Sequence, residues 1–206
     1  MILRPWVILL AAGGSRRFGR PKQLIMLRGE TLLRRAARVA LATRPAGCVI
    51  VLGAHATRLQ LELDGLPVRI AVNRRWRQGL ASSLRAGLDA LPAAAPAALF
   101  MLADQAAVTP ADLKRLYAAW RREPASIAAA RADGVRGPPA ILPRSLFPAL
   151  RQLRGDAGAR VLLADPGRRV VEVDMPAAAV DIDTPADLAR IGRHRGRRGR
   201  ILDTRL

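Results

Sequence analysis

The sequence predicts an α/β fold built on a doubly wound, mostly parallel sheet of Rossmann-like type. Three observations predict it. Apolar runs of strand length recur along the chain, at residues 6–10, 49–52, 68–72 and 98–102. Segments with helical spacing of apolar residues separate them, which is the βαβ alternation of a parallel sheet. A helix-start signal, Thr109-Pro110-Ala111-Asp112, returns as Thr184-Pro185-Ala186-Asp187. In each, threonine is the cap, proline fills the first helical position and an acid stands three residues after the cap.

The elements follow in order. Residues 6–10 form a continuous apolar run, as expected of a strand covered on both faces. A helix is expected over 31–42, with Leu32, Leu33, Ala36, Ala37, Val39 and Ala40 on its apolar side. Strand 49–52, a short helix near 57–63, strand 68–72, helix 80–91 and strand 98–102 come next. Helices then start after Thr109 and Thr184. The stretch from about 134 to 176 is richer in proline and glycine, and is expected to be an irregular flap over the sheet edge. Residues 1–192 read as one domain. Residues 193–206 begin with the run RHRGRRGR and read as a flexible basic tail.

Composition narrows the function. The chain has 206 residues, half of them hydrophobic, which suffices for a full core. Aromatics are only 3%, so that core must be mostly Ala, Leu, Val and Ile. The single cysteine, Cys48, excludes an intrachain disulfide and lies in an apolar run where it is expected to be buried and inert. No apolar run approaches the roughly 18 residues of a membrane span, and no secretory signal is evident, so a cytoplasmic setting is expected. The net charge of +19 is carried almost entirely by arginine, since Lys22 and Lys114 are the lysines. It favours anionic partners: phosphates, nucleotides or nucleic acid. His55 and His194 have no partner at informative spacing, so neither a zinc site nor a hydrolase triad is expected.

Four segments carry chemistry. The loop Leu10-Ala11-Ala12-Gly13-Gly14-Ser15-Arg16-Arg17-Phe18-Gly19-Arg20-Pro21-Lys22 begins where the first strand ends. Its small residues let backbone N–H groups approach a triphosphate, and Arg17 and Lys22 can neutralise phosphate charge. The loop fits neither the P-loop nor the dinucleotide fingerprint. Asn73 to Leu84 sits between a strand and a helix, where Gly79 and Ser83 offer either donors to a ligand or an ordinary cap. Asp104 ends an apolar strand, a position suited to a carboxylate that holds magnesium, which takes oxygen ligands beside substrate phosphates. In Val180-Asp181-Ile182-Asp183, alternation puts Asp181 and Asp183 on one face, where one could be a second metal ligand.

The first loop resembles the L-A-A-G-x-S-x-R-[MF]-G-x-x-K signature of the molybdenum cofactor nucleotidyltransferases, in particular their cytidylyltransferase members, which are related to the guanylyltransferases. The segment from Asn73 to Ser83 resembles their N-x-x-W-x-x-G-x-x-x-S pattern. Asp104-Gln105 resembles their D-Q-P, with Ala106 in place of proline, and residues 181–188 resemble D-x-D-T-P-x-D-L. The resemblance spans about residues 6–192. It implies a nucleotidyltransferase fold, with Leu10, Ala11, Ala12, Gly13, Gly14, Ser15, Arg17 and Lys22 holding the triphosphate. Asn73, Gly79 and Ser83 would hold the nucleotide or shape its pocket, with Trp76 packing the loop. Arg17, Lys22 and Asp104 would be catalytic. Mg2+ would sit on Asp104 and on Asp181, with Asp183 its rival. Arg136, Asp156 and Arg160 lie in segments similar to the family's acceptor end, where Pro138 replaces a His or Gln.

The activity so implied is transfer of CMP from CTP to molybdopterin bearing molybdenum, with release of pyrophosphate. A molybdoenzyme or its chaperone would receive the product. GTP or another triphosphate, or another small phosphorylated acceptor, is the alternative within the class. Outside it stands a basic module binding nucleic acid or a partner protein. That module calls for aromatic stacking platforms, and this chain has few aromatics.

Overall fold

The computed structural model describes residues 3–15, 19 and 21–180. Arg17, Asp181, Asp183, the Thr184 helix start and the basic tail lie outside the described residues.

The elements are β1 (Trp6–Ala11), the short strands β2 (Met26–Leu27) and β3 (Glu30–Thr31), α1 (Leu32–Leu41), β4 (Cys48–Leu52), α2 (Ala56–Leu61), β5 (Arg69–Val72), α3 (Leu80–Asp89), β6 (Ala97–Leu102), α4 (Pro110–Arg122), β7 (Ile127–Ala132), β8 (Val135–Pro143), α5 (Phe147–Gln152), α6 (Arg160–Leu163) and β9 (Val170–Asp174). Seven strands form one sheet in the order β5-β4-β1-β6-β8-β7-β9. β5, β4, β1 and β6 run parallel, as do β7 and β9, while β8 is antiparallel to both of its neighbours. The expected mostly parallel α/β sheet is what the chain forms.

Alternation along β1 divides the core. Val7, Leu9 and Ala11 face one side with Leu33, Ala37 and Ala40 of α1 and Leu113 and Leu116 of α4. Ile8 and Leu10 face the other side with Leu84 and Leu88 of α3 and Leu150 of α5. Helices on both faces explain why the strands read as continuous apolar runs rather than alternating ones. The buried side of α1 is the set expected from spacing, and Thr31 caps the helix by accepting from the Arg34 N–H. α4 carries a complete capping box between Thr109 and Asp112. Cys48 is buried, and burial pushes its thiol up to about 12, which leaves it protonated and inert at neutral pH.

One expectation is corrected. The stretch 134–176 is not a flap over the sheet edge: its first part is β8, a nine-residue strand inside the sheet between β6 and β7. Gly137-Pro138-Pro139 disguised it, because proline cannot donate to a ladder. The register explains how the prolines are tolerated. Pairing with β7 jumps from Ala130↔Gly137 to Ala129↔Ala140, so the two prolines oppose nothing there. Pairing with β6 reaches only as far as Ala140↔Phe100. No N–H is asked of Pro138 or Pro139.

Among the described residues, no helix is long and apolar enough to cross a membrane.

Candidate active site

The chain leaves β1 toward β4 on one side, while β6 lies on the other. Between β1 and β6 the order therefore switches, and the loops beyond their carboxyl ends part to leave a crevice. Leu10 pairs with Leu102, and the Ala103 N–H donates to the Leu10 carbonyl at 3.2 Å. The loop after β1 and the turn that carries Asp104 thus emerge side by side.

A cleft of about 460 Å³ opens there. Its lining brings together Leu10, Ala11, Ala12, Gly13, Gly14, Lys22, Gly79, Ser83, Asp104 and Asp156 from the residues that the sequence singled out. Gln23, Trp76 and Arg77 also line it. Arg136 and Arg160 are not in this cleft. They line a second cavity of about 280 Å³ with Gly137, Pro138 and Ala178. Arg136 is also tied down: its Nε donates to Glu172 at 2.7 Å and its Nη1 to the Leu163 carbonyl at 3.1 Å.

The loop after β1 keeps its shape through Gln23, a residue that sequence reasoning missed. Gln23 is only 3% exposed. Its amide N–H groups donate to the carbonyls of Ala11 (3.1 Å) and Gly13 (2.7 Å). Its carbonyl oxygen accepts from the Ser15 hydroxyl at 3.2 Å, and that hydroxyl in turn accepts from the Lys22 N–H at 3.0 Å. Ser15 therefore acts as a brace and does not line the cleft. Gly14 lies over Trp76: a Cβ there would come 3.0 Å from the indole ring. Trp76 packs beneath the loop, as expected, and the Arg77 guanidinium lies 4.8 Å from its ring centroid.

The second wall is the start of α3. Asn73 is buried, and its amide donates to Ser82 (2.8 Å) and Ser83 (3.0 Å) while its oxygen accepts from the Arg75 N–H (2.9 Å). Those bonds occupy Asn73 with shaping the turn. Gly79 has φ +92°, and a Cβ on it would come 2.3 Å from the Gly155 carbonyl. The Ala81 N–H donates to that same carbonyl at 3.0 Å. Only glycine permits this docking, and the docking brings Asp156 into the cleft.

Asp104 and Lys22 form an ion pair across the cleft floor. The other carboxylate oxygen, Oδ1, is buried and has no hydrogen-bond partner among the described residues. A buried anionic oxygen without a partner is costly, and it has the chemistry of a ligand for a hard divalent cation. The residues present therefore fit such a cation. Gln105 fixes the turn that carries Asp104: its amide donates to the Pro138 carbonyl (2.8 Å) and the Ala178 carbonyl (3.1 Å). Pro138, where the resembled pattern has a polar side chain, contributes through its backbone oxygen. Ala106 is buried with Ile25, Leu27 and Leu32, so the missing proline leaves the turn packed.

The family model of the MobA-like NTP transferase domain matches residues 7–177. Nicotine blue oxidoreductase of Paenarthrobacter nicotinovorans is 38% identical over 165 residues, covering 76% of this chain and 79% of that protein. The purine catabolism protein PucB of Bacillus subtilis (strain 168) is 30% identical over 166 residues, covering 76% and 78%. Among solved structures, Rv0371c from Mycobacterium tuberculosis H37Rv superposes with a TM-score of 0.78 at 30% identity, over 91% of this chain and 97% of that one. A manganese complex of Rv0371C superposes with a TM-score of 0.77 at 27% identity, over the same shares.

Proposed function

The chain belongs to the MobA-like NTP transferase family, and from that premise we propose that it moves CMP from CTP onto a molybdopterin-type acceptor bearing molybdenum and releases pyrophosphate. That it is a nucleotidyltransferase follows from the family; the nucleotide and the acceptor are the proposal. The observation that carries it is the meeting, at the switch point of the sheet, of a small-residue loop, Lys22 and a carboxylate with one buried, unpartnered oxygen.

The chemistry is a displacement at the α-phosphorus. A phosphate oxygen of the acceptor attacks, the bond to the bridging oxygen breaks, and that oxygen leaves with pyrophosphate. Backbone N–H groups of residues 12–14 take phosphate oxygens. Lys22, with Arg17, offsets the charge that builds on the leaving pyrophosphate. Asp104 would hold a divalent cation, Mg2+ in this reading, which offsets charge on the α-phosphate. Asp181 or Asp183 would add the second carboxylate; Asp181 follows Ala178, which Gln105 anchors beside Asp104, by three residues. Asn73, Gly79 and Ser83 set the wall on the nucleoside side. Asp156 and, from the second cavity, Arg160 and Arg136 serve the acceptor. No covalent nucleophile is needed, and most of the rate comes from positioning and fixed charge.

The choice of CTP rests on the resemblance of the Asn73–Ser83 segment to cytidylyltransferases. A cytoplasmic setting, where triphosphates are at hand, is part of the same proposal, as is transient contact with a molybdoenzyme or its chaperone. The name of one relative, nicotine blue oxidoreductase, supports a second reading in which the cleft serves redox turnover, since one fold hosts many activities.

The test is pyrophosphate release by purified protein with Mg2+, molybdenum-loaded molybdopterin and each of the four ribonucleoside triphosphates, alongside Asp104→Ala. Turnover with CTP, lowered at least about a hundredfold in the variant, is the expected result. Turnover with GTP instead would keep the mechanism and overturn the base assignment. Catalysed redox turnover of an added electron donor and acceptor pair, with no pyrophosphate from any triphosphate, would favour the second reading.

A further inference from the structure

We propose that Arg77 reads the base of the nucleotide. Its guanidinium donates two hydrogen bonds to a base edge that presents two adjacent acceptors, as cytosine does with N3 and O2. The inference deepens the reading of the cleft given above, and rests on it, by naming the side chain that selects the nucleotide.

Three observations carry it. The first is that the guanidinium is set in place at the cleft. Arg77 lines the cleft, and its guanidinium lies over the Trp76 ring, 4.8 Å from the centroid. Trp76 is itself wedged between two loops: a Cβ on Gly14 would come 3.0 Å from its ring, and a Cβ on Gly53 would come 2.7 Å from Trp76 Cβ. The turn that carries both residues is tied down as well. The Arg75 N–H donates to Asn73 Oδ1 at 2.9 Å, and the Gly79 N–H donates to the Trp76 carbonyl at 3.2 Å. A guanidinium donates in its own plane, so an indole against one face holds the fork and leaves its edge to a ligand.

The second observation is the division of the cleft. The loop after β1 and Lys22 supply the partners of the phosphates. The wall formed by Trp76, Arg77, Gly79, Leu80 and Ser83 is left to the nucleoside. The third is the charge on that wall. Asp156 also lines the cleft, and its Oδ1 would stand 2.7 Å from a Cβ on Gly79. A phosphate drawn to Arg77 would meet this carboxylate two residues along the wall and be repelled. A neutral base meets no such cost.

A guanidinium can only donate, so the bases sort by their edges. On cytosine, N3 and O2 are neighbouring acceptors. Uracil carries a hydrogen on N3 and turns a donor toward the fork. Guanine offers O6 and N7, whereas adenine has an amino group in place of O6. Arg77 therefore favours cytosine over uracil and, by the same chemistry, guanine over adenine. CTP is the ligand in keeping with the reading above.

The test is calorimetric titration of the full-length protein, in Mg2+, with each of the four ribonucleoside triphosphates, for wild type, Arg77→Ala and Arg77→Lys. Arg77 is exposed, so both variants should fold as wild type does. Wild type should bind CTP more tightly than UTP. Arg77→Ala should weaken CTP about tenfold while changing UTP less than about twofold, which removes the preference. Arg77→Lys keeps the charge without the fork and should lose the preference too. A loss confined to GTP, in a wild type that prefers GTP to ATP, would keep Arg77 as the reader and move the base assignment to guanine. Equal losses for all four triphosphates, restored by lysine, would make Arg77 a phosphate contact and overturn its role as reader, with the reading of the cleft intact. Unchanged affinities in both variants would overturn it as well. Failure of wild type to bind any triphosphate would overturn the reading of the cleft and the inference with it.

Discussion

A buried side-chain amide must find partners at both of its ends, and Gln23 finds them in the loop after β1. Two carbonyls and the Ser15 hydroxyl converge on it. Replacing Gln23 by methionine keeps much of the volume and removes every one of these bonds. The carbonyls of Ala11 and Gly13 then lose a partner, at a cost of roughly 1–3 kcal/mol. The expected outcome is a lower urea midpoint together with weaker triphosphate binding, measured by denaturation and by nucleotide titration on the same preparation. Weaker folding with unchanged nucleotide affinity would mean that the loop does not need Gln23 to hold its ligand-binding shape. The residue was illegible in the sequence for a physical reason. Glutamine is usually exposed, and its burial here depends on the carbonyls of residues 10 and 12 positions earlier in the chain turning back toward it. Lys22 next to it was legible, because a cation at the end of a glycine-rich loop has a chemical use in any fold. Arg136 runs the other way: its charge was legible, but its ion pair with Glu172, 36 residues on, was not. In the same way, the sequence singled out Asn73 as a candidate, whereas its engagement with Ser82 and Ser83 was not legible.

Elements were legible where a local rule dictates them and obscured where a long-range pairing does. The start of α4 is the first kind. Thr109, Pro110 and Asp112 announce it, and the fold contains the full capping box. Burial works against the Asp112 carboxylate, but hydrogen bonds from Thr109 and Arg115 outweigh it and hold Asp112 below its ordinary value. The sign of the pH dependence follows. A carboxylate whose folded value is depressed contributes stability that is present above its unfolded value, near 3.8, and is lost as pH falls through the lower folded value. Thr109→Ala should cost about 1 kcal/mol at neutral pH. Its gap from wild type should narrow as the solution is acidified below the unfolded value, as read from urea midpoints across a pH series. A gap independent of pH would assign the loss to the threonine bond alone. β8 is the second kind. Its prolines read as a breaker, and its alanine-rich partner β7 has, after Ile127, none of the β-branched residues that mark strands. Both become strands because the β6 edge from Ala97 to Phe100 pairs with β8, and the bulge opposite β7 lets the prolines pass. The loop resemblance needed none of this, which is why the cleft was more legible than the half of the sheet beyond it.

At the scale of the molecule, the open question is whether a net charge of +19 serves the cleft or only reflects an arginine-rich composition. Part of the arginine is structural. Arg35 and Arg38 pair with Glu30, Arg131 and Arg136 with Glu172, and Arg151 with Asp89. Arg34 and Arg144 bind backbone carbonyls. Such contacts lock arginines in place, yet they leave the excess charge intact, and a field of that sign attracts a triphosphate from a distance. The two possibilities differ in kinetics. A steering field raises the association rate and weakens with salt, because the Debye length falls from about 30 Å at 0.01 M to about 10 Å at 0.1 M. An excess too diffuse to be felt at the cleft leaves association nearly insensitive to salt. The expected outcome in stopped-flow binding of a fluorescent nucleoside triphosphate is an association rate that falls several-fold over that range, with dissociation nearly constant. Neutralising the exposed Arg58 and Arg121, which lie outside the cleft lining, should lower association slightly and leave dissociation alone. An association rate flat in salt would return the charge to composition. It would also place the whole burden of anion recognition on the residues at the ends of β1 and β6, where Lys22 and Asp104 already balance each other.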